Sequence, residues 1–323
     1  DIRTSLFDDV KESCRRVTSS ARHVRINESG IAYLAENLMD RKQPQTDGFH
    51  DPARHFYNTQ AQTVEFIMFL NAVNFGSGFR DDLREEGVLP SDERFYACIT
   101  QRLKEYVDRN GIPSCDTLLK SDIRFFADIF NLPPDRPNSF EFLELIQSAY
   151  KDYARYFKNY YDASAWNLFE ESAGSARHFV EKLIEIPSYN DFSFYDGRPV
   201  YFYKRAQITA ADLFFALQNQ KNAFHDIDQL TAFADPALPQ VLGYLDVLDY
   251  SDELNSKIEA GIEIEQGSEH EVEIRAATIE AIENIKGYFP FWRVIDIDDI
   301  LWRMAGSQDL CHYPRHKTKT VFY

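Results

Sequence analysis

A mainly α-helical fold, one helical domain with a short β-hairpin, is what the sequence predicts, and three observations carry the prediction. Apolar residues recur at helical spacing over most of the chain, whereas strict alternation is confined to Asp191 to Gln207. The 323 residues are 44% hydrophobic and 15% aromatic, enough for one large core or two closely packed lobes. Neither the proline-rich connector at 133–137 nor the Gly/Ser/Glu-rich piece from Gly261 to Ser268 is long enough to demand separate domains on its two sides. Residues 1–323 are therefore read as one domain, with room for an N-terminal helical lobe over 1–130.

Leu6, Val10, Cys14 and Val17 mark the first helix. The most apolar window, Val64 to Phe75, carries Glu65, Asn71 and Asn74 and is too short to span a bilayer. Pro133, Pro134 and Pro137 break the pattern, after which Asn138 or Ser139 can cap a helix that has Glu141 and Glu144 in its first turns. Leu143, Ile146, Tyr150, Tyr153 and Phe157 mark that helix. In DFSFYDGRPVYFYKRAQ, two aromatic-rich alternating runs flank Asp196-Gly197, a dipeptide suited to a tight turn, so a two-stranded hairpin is expected. Asp226 and Asp228 most simply begin a short helix through Leu230. Ile274, Ile279, Ile282 and Ile285 mark a further helix, and IDIDDILW the last.

Composition removes several function classes. Lys and Arg total 35 against 52 Asp and Glu, and a net charge of −17 repels long nucleic acids. A single nucleotide is still acceptable, because one phosphate needs only two or three placed donors. Cys14, Cys98, Cys115 and Cys311 are too far apart for a zinc knuckle or a redox pair. The first thirty residues contain no apolar run of signal-peptide length, so a cytoplasmic, non-membrane protein is expected. There is no glycine-rich phosphate loop, and no serine lies in a nucleophile elbow. His270-Glu271 opens like a zinc-protease helix, but Ile274 stands where the second histidine would be, leaving a metal site only to tertiary convergence.

What remains is a concentration of charged and aromatic groups from Tyr201 to Leu242. Lys204 and Arg205 follow an aromatic strand, so one of them is expected in an apolar environment, although a lysine after a strand is usually a surface charge. Asp235 precedes Pro236, which holds it in extended backbone at the mouth of a helix; capping is the simpler reading and a functional carboxylate the sharper one. Glu271 and Arg275 read as a surface i,i+4 ion pair. Asn71, Asn74 and Phe75, and likewise Asp298, Asp299 and Trp302, combine an aromatic with polar groups, the equipment for stacking on a base and bonding its edge, or for ordinary core packing. Arg315, His316, Lys317 and Lys319 form the densest basic run near either end, fitting a phosphate site or a frayed tail equally.

The strings IPSYNDFSFYDGRPVYFYKRAQITAADL, LTAFADPALPQVLGYLDVLDYSDEL and EVEIRAATIEAIE, with the HFYN segment at His55 and the LNAVNF run, resemble the queuosine salvage protein family. The match runs in order from about His55 to Tyr323. The resemblance implies a hydrolase that cleaves the N-glycosidic bond of queuosine 5′-phosphate and frees queuine, a 7-deazaguanine base, for re-use in tRNA modification. It also implies a fold similar to helix-hairpin-helix DNA glycosylases, although Gln240 and Leu242 replace the two glycines of that hairpin's core. On this reading Asp235, Lys204 and Asp226 are catalytic: Asp235 lies beneath the sugar, Lys204 orients it or binds the phosphate, and Asp226 positions Lys204 or water. Asp298 contacts the base and Phe233 or Trp302 stacks on it, with His55, Asn74, Phe75, Arg205, Arg315 and Lys317 as further substrate contacts. No metal or cofactor is implied, and the partners are the nucleotide and its base. The rivals are a DNA or RNA base-excision glycosylase and a non-catalytic queuine-binding protein.

Overall fold

The computed structural model describes residues 5–39, 59–90, 94–217, 224–307, 309–310 and 312–323. Those residues are mainly helical, with two small antiparallel sheets, in agreement with the helical spacing of the apolar residues. The chain begins with α1 (Leu6–Ser20), β1 (Val24–Ile26) and α2 (Glu28–Met39). It continues through α3 (Gln60–Asn71), α4 (Arg80–Glu85), α5 (Phe95–Asn110), α6 (Cys115–Lys120), α7 (Ile123–Phe130), α8 (Pro137–Tyr160), α9 (Ala165–Glu171) and α10 (Ala176–Leu183). The hairpin β2 (Phe192–Tyr195) and β3 (Arg198–Tyr201) leads to α11 (Lys204–Leu217) and α12 (Ala237–Tyr244). Then come β4 (Leu248–Tyr250), α13 (Asp252–Glu259), α14 (Glu269–Lys286) and α15 (Val294–Met304). None of these helices is long and apolar enough to cross a membrane.

The chain divides into two compact units, each assembled from segments distant in sequence. The first comprises Asp1–Thr46, Asp191–Gln207 and Asp228–Lys319. Its axis is α14, whose residues from Glu271 to Ile279 are all buried. A helix enclosed on every side needs neighbours on every side, and α14 packs against α1, α2, α12, α15, β1, β2 and β4. The stripe Leu6, Val10, Cys14 and Val17 is buried on α1 as its spacing predicts. The buried Glu273 carboxylate accepts the N–H groups of Arg22, His23 and Val24 at 2.7–3.0 Å and the Tyr195 hydroxyl at 2.7 Å. It thereby fixes the start of β1, which pairs antiparallel with β4, Val24 opposite Tyr250. The predicted hairpin is present, with Asp196 and Gly197 at φ 47° and 74° as a two-residue turn between twisted strands requires.

The second unit comprises Asp47–Asn190, Ile208–Ile227 and Thr320–Tyr323. Its long helix α8 buries Leu143, Ile146, Tyr150, Tyr153 and Phe157 and packs against α4, α6 and α7. The Tyr150 ring stacks on Phe69 with centroids 4.6 Å apart. The start of α8 corrects the sequence reading. Pro137 opens the helix, Asn138 and Ser139 lie inside it, and the Glu86 carboxylate accepts their N–H groups at 2.8 and 3.2 Å. The cap comes from another helix terminus because a carboxylate satisfies exposed N–H groups wherever the fold delivers it.

The C-terminal run is packed, which sets aside a frayed tail. In the first unit His316 and Thr318 are buried, and the Ile264 N–H donates to the Lys317 carbonyl at 2.8 Å. In the second unit Tyr323 is 1% exposed and its carbonyl accepts the Gly76 N–H at 3.0 Å.

Candidate active site

The exit of the β2–β3 hairpin is built around Asp191. Its main-chain carbonyl accepts the N–H groups of Phe202 and Tyr203, each at 3.1 Å, and its carboxylate accepts the Lys204 N–H at 3.1 Å. Tyr203 lies at φ 52°, and this left-handed residue turns the chain from β3 into α11 with Lys204 as the first helical residue. Arg275 on α14 grips the same carboxylate through both terminal nitrogens at 2.7 Å. Its guanidinium carbon lies 4.1 Å from the centroid of the Phe202 ring.

A second segment, Thr231 to Asp235, is pinned at three main-chain points. Gln207 accepts the Thr231 N–H at 2.8 Å, Asp298 on α15 accepts the Phe233 N–H at 2.7 Å, and the Arg275 Nε donates to the Ala234 carbonyl at 3.1 Å. Because Arg275 holds both Asp191 and Ala234, one side chain fixes the two segments that present Lys204 and Asp235. Asp235 is half-buried. Its Oδ1 accepts the N–H groups of Ala237 and Leu238 at 2.8 and 3.3 Å, so it caps α12 as the simpler reading expects. Among the described residues nothing donates a hydrogen bond to its Oδ2, so capping occupies one of the two oxygens.

The electrostatics separate the ionisable groups. Lys204 is 3% exposed; burial lowers its pKa and Arg205 and Arg275 add to the shift, while Asp235 and Asp298 oppose it. Among the described residues its ammonium makes no hydrogen bond and has no carboxylate at ion-pair distance. Burial pushes the Asp298 carboxyl well above the usual range, with Asp235 and Asp299 pushing the same way and the Phe233 N–H and Lys204 opposing. His316 is driven down to about 3, by burial first and then by Arg315 and Arg275, so its imidazole is neutral. The result is a buried carboxyl pushed toward its protonated form in the same unit as a buried amine and the half-buried Asp235, a set of groups suited to acid–base and electrostatic work.

The first unit thus holds Lys204, Arg205, Phe233, Asp235, Asp298, Trp302, Arg315 and Lys317. Arg205 and Phe233 are each 1% exposed. Trp302 is half-buried one turn beyond Asp298, on the same face of α15. Arg315 and Lys317 are half-buried and alternate with buried His316 and Thr318. The second unit holds the others. The Asn74 amide donates to the Asn71 Oδ1 at 2.8 Å, and Asn71 donates to Asp212 at 2.7 Å. Phe75 is 4% exposed and meets Phe142 edge-on at 5.9 Å. Within this unit the Asp226 carboxylate accepts from the Ser175 hydroxyl and from the N–H groups of Ala176 and Arg177, so it caps α10 together with Ser175, which accepts the His178 N–H. His55 lies outside the described residues.

Sequence reasoning missed Asp191, Gln207 and Arg275. Arg275 was placed on the surface with Glu271, yet the two are 1% and 0% exposed and 3.6 Å apart. The signal was present: EVEIRAATIEAIENI carries apolar residues around its full circumference, and an arginine in such a helix has no route to water. Gln207 carried no comparable mark. The residues LPQVL lie inside α12, where the Gln240 amide donates to the carbonyls of Leu310 and Tyr313 at 3.1 and 2.6 Å.

Comparison with known proteins adds a direct constraint. The family model described as queuosine salvage protein matches residues 54–323. The queuosine 5′-phosphate N-glycosylase/hydrolase of Dictyostelium discoideum is 30% identical over 97% of this chain and 98% of its own length. The proteins of that name from Sphaerobacter thermophilus and Bos taurus are 29% and 26% identical, each over 97% of this chain and over 97% and 98% of their own lengths.

Proposed function

The chain belongs to the queuosine salvage protein family, and on that premise we propose that it is a hydrolase cleaving the N-glycosidic bond of queuosine 5′-phosphate, with queuine and ribose 5-phosphate as products. The observation that supports this reading best is the grouping of Asp235, Asp298 and Lys204 on segments pinned by Arg275, Gln207 and Asp298 itself.

Breaking the bond builds positive charge on the sugar, and the free Oδ2 of Asp235 is the group that stabilises it; water then adds to the anomeric carbon. Asp235 holds its position because its other oxygen caps α12. A 7-deazapurine lacks the ring nitrogen at which ordinary purines take up a proton on leaving, so the departing base needs a donor at another edge. Asp298, whose carboxyl burial pushes toward the protonated form, is that donor. Lys204 supplies positive charge toward Asp235 or the 5′-phosphate, with Arg205, Arg315 and Lys317 as further cationic groups in the same unit and Phe233 or Trp302 as the stacking surface.

Incubating the purified protein with queuosine 5′-phosphate should release free queuine, detected by mass spectrometry. Binding without release would replace this reading with a carrier function. The phosphate site has its own control: cleavage of the dephosphorylated nucleoside should be far slower. The rival base-excision glycosylase is disfavoured by a net charge of −17 and by the helical setting of LPQVL, where kinship to the glycosylase hairpin would instead need a backbone turn open to phosphates.

A further inference from the structure

A cluster unrelated to the chemistry above lies in the first unit, where the end of α1, β4 and the start of α14 converge. We propose that His23, Glu253 and His270 form a binding site for a divalent first-row transition-metal ion. One donor atom from each residue lies within 4.8 Å of the others. His270 has no second histidine one helical turn on, where Ile274 stands, and the fold supplies one from 247 residues earlier in the chain.

The convergence follows from strand pairing. β1 begins at Val24, opposite Tyr250 of β4. The Ser251 N–H donates to the His23 carbonyl at 2.8 Å, which sets His23 beside the first turn of α13, where Glu253 lies. The His23 Nδ1 is 3.1 Å from the Ser251 hydroxyl, leaving Nε2 as the ligand atom, with an outer partner that orients the ring as metal-bound histidines require. The two imidazoles meet edge-on with centroids 4.3 Å apart. The His270 side chain is 14% exposed, and its Nε2 is buried without a hydrogen-bond partner, 3.7 Å from the Glu253 carboxylate. A buried ring nitrogen left without a donor or acceptor calls for a ligand, and a carboxylate just beyond hydrogen-bond reach beside it is the partner a cation would draw in.

Two imidazoles and one carboxylate suit zinc and its neighbours and leave a further position for water. Glu253 now accepts from Lys257 at 2.8 Å, and both side chains are exposed enough to move. Lys257 is therefore the cation that a metal ion would displace. Glu269, 3.5 Å from the His23 Nε2 and paired with Arg22 at 2.7 Å, stands ready as an outer carboxylate. His270 lies on the same helix as Arg275, so an ion at this site would pin the first turn of the helix that organises the candidate active site.

The test uses full-length protein stripped with a chelator and titrated with Zn²⁺ by calorimetry, alongside thermal unfolding. The expected result is one Zn²⁺ per chain and a rise in Tm. His23→Gln and His270→Gln should each weaken binding by more than the roughly 10–100-fold lost when an outer-shell partner is removed, and should abolish the Tm rise. Glu253→Gln, at an exposed position, should also weaken binding, and Lys257→Met should tighten it. Co²⁺ bound to the wild type should show visible bands that His270→Gln lacks. Absence of Zn²⁺ binding, or binding equally strong in all four variants and so an adventitious ion only, overturns the proposal.

Discussion

Arg275 and Asp191 form a two-pronged ion pair in which both side chains are 1% exposed. The pair is the junction between the segment that carries Lys204 and the one that carries Asp235. Taking either partner away leaves a buried charge without compensation, at a cost of about 3–5 kcal/mol. Arg275→Ala should therefore shift the urea midpoint strongly downward. Arg275→Met combined with Asp191→Leu should recover part of the loss, since neither charge is then buried alone. An unchanged midpoint in the single variant would contradict the assignment.

Asp298 is expected to give stability a characteristic pH dependence. The folded chain holds its proton more tightly than the unfolded chain, whose carboxyl titrates near about 3.9. Its contribution is then fully present below that value and declines as pH rises toward the raised pKa. Lys204 works in the opposite sense: its contribution is present above the ordinary lysine range and is lost as pH falls through its lowered pKa. Denaturant unfolding across pH should show that Asp298→Asn removes the decline attributed to Asp298, so that the wild type loses its advantage over the variant as pH rises. Parallel profiles for the two proteins would refute a protonated Asp298.

The two oxygens of Asp235 allow structure and chemistry to be separated. Asparagine keeps an acceptor for the Ala237 and Leu238 N–H groups, so Asp235→Asn should fold with near-normal stability while turnover of queuosine 5′-phosphate falls on the order of a hundredfold or more. Asp235→Ala should show the same loss of turnover together with about 1 kcal/mol of lost stability from the missing cap. Near-wild-type turnover in the folded asparagine variant would remove Asp235 from the mechanism.

For Asp226 the balance should be reversed. With three donors at the start of α10, its removal in Asp226→Ala is expected to cost about 1–2 kcal/mol. Turnover per folded molecule, measured well below the melting temperature, should hold within a few-fold. A large loss of turnover with unchanged stability would instead support the catalytic role that the family resemblance implies.

The helical fold was legible in the sequence because burial writes a 3.6-residue period into stripes such as Leu6, Val10, Cys14 and Val17 and into the spacing on α8. The Asp196-Gly197 turn was legible because few dipeptides accept two left-handed residues in succession. The family strings named Lys204, Asp235 and Asp298 as residues to watch.

Only the tertiary structure decided what those residues touch. Local spacing paired Arg275 with Glu271 on a surface, whereas the fold buried both and gave Arg275 to Asp191, 84 residues away. It likewise capped α8 with Glu86, engaged Asp226 at α10, and set His23 beside His270. The reason is common to all four. A periodic apolar pattern is a property of neighbours along the chain and survives as text, whereas a charge or hydrogen bond takes its partner and its pKa from whatever the packed core brings within a few ångströms. In the stretch from Tyr201 to Leu242 the sequence by itself determined which ionisable groups were present, and the packing of α14 and α15 against it determined which way the Asp298 carboxyl and the Lys204 amine shift and which Asp235 oxygen caps α12.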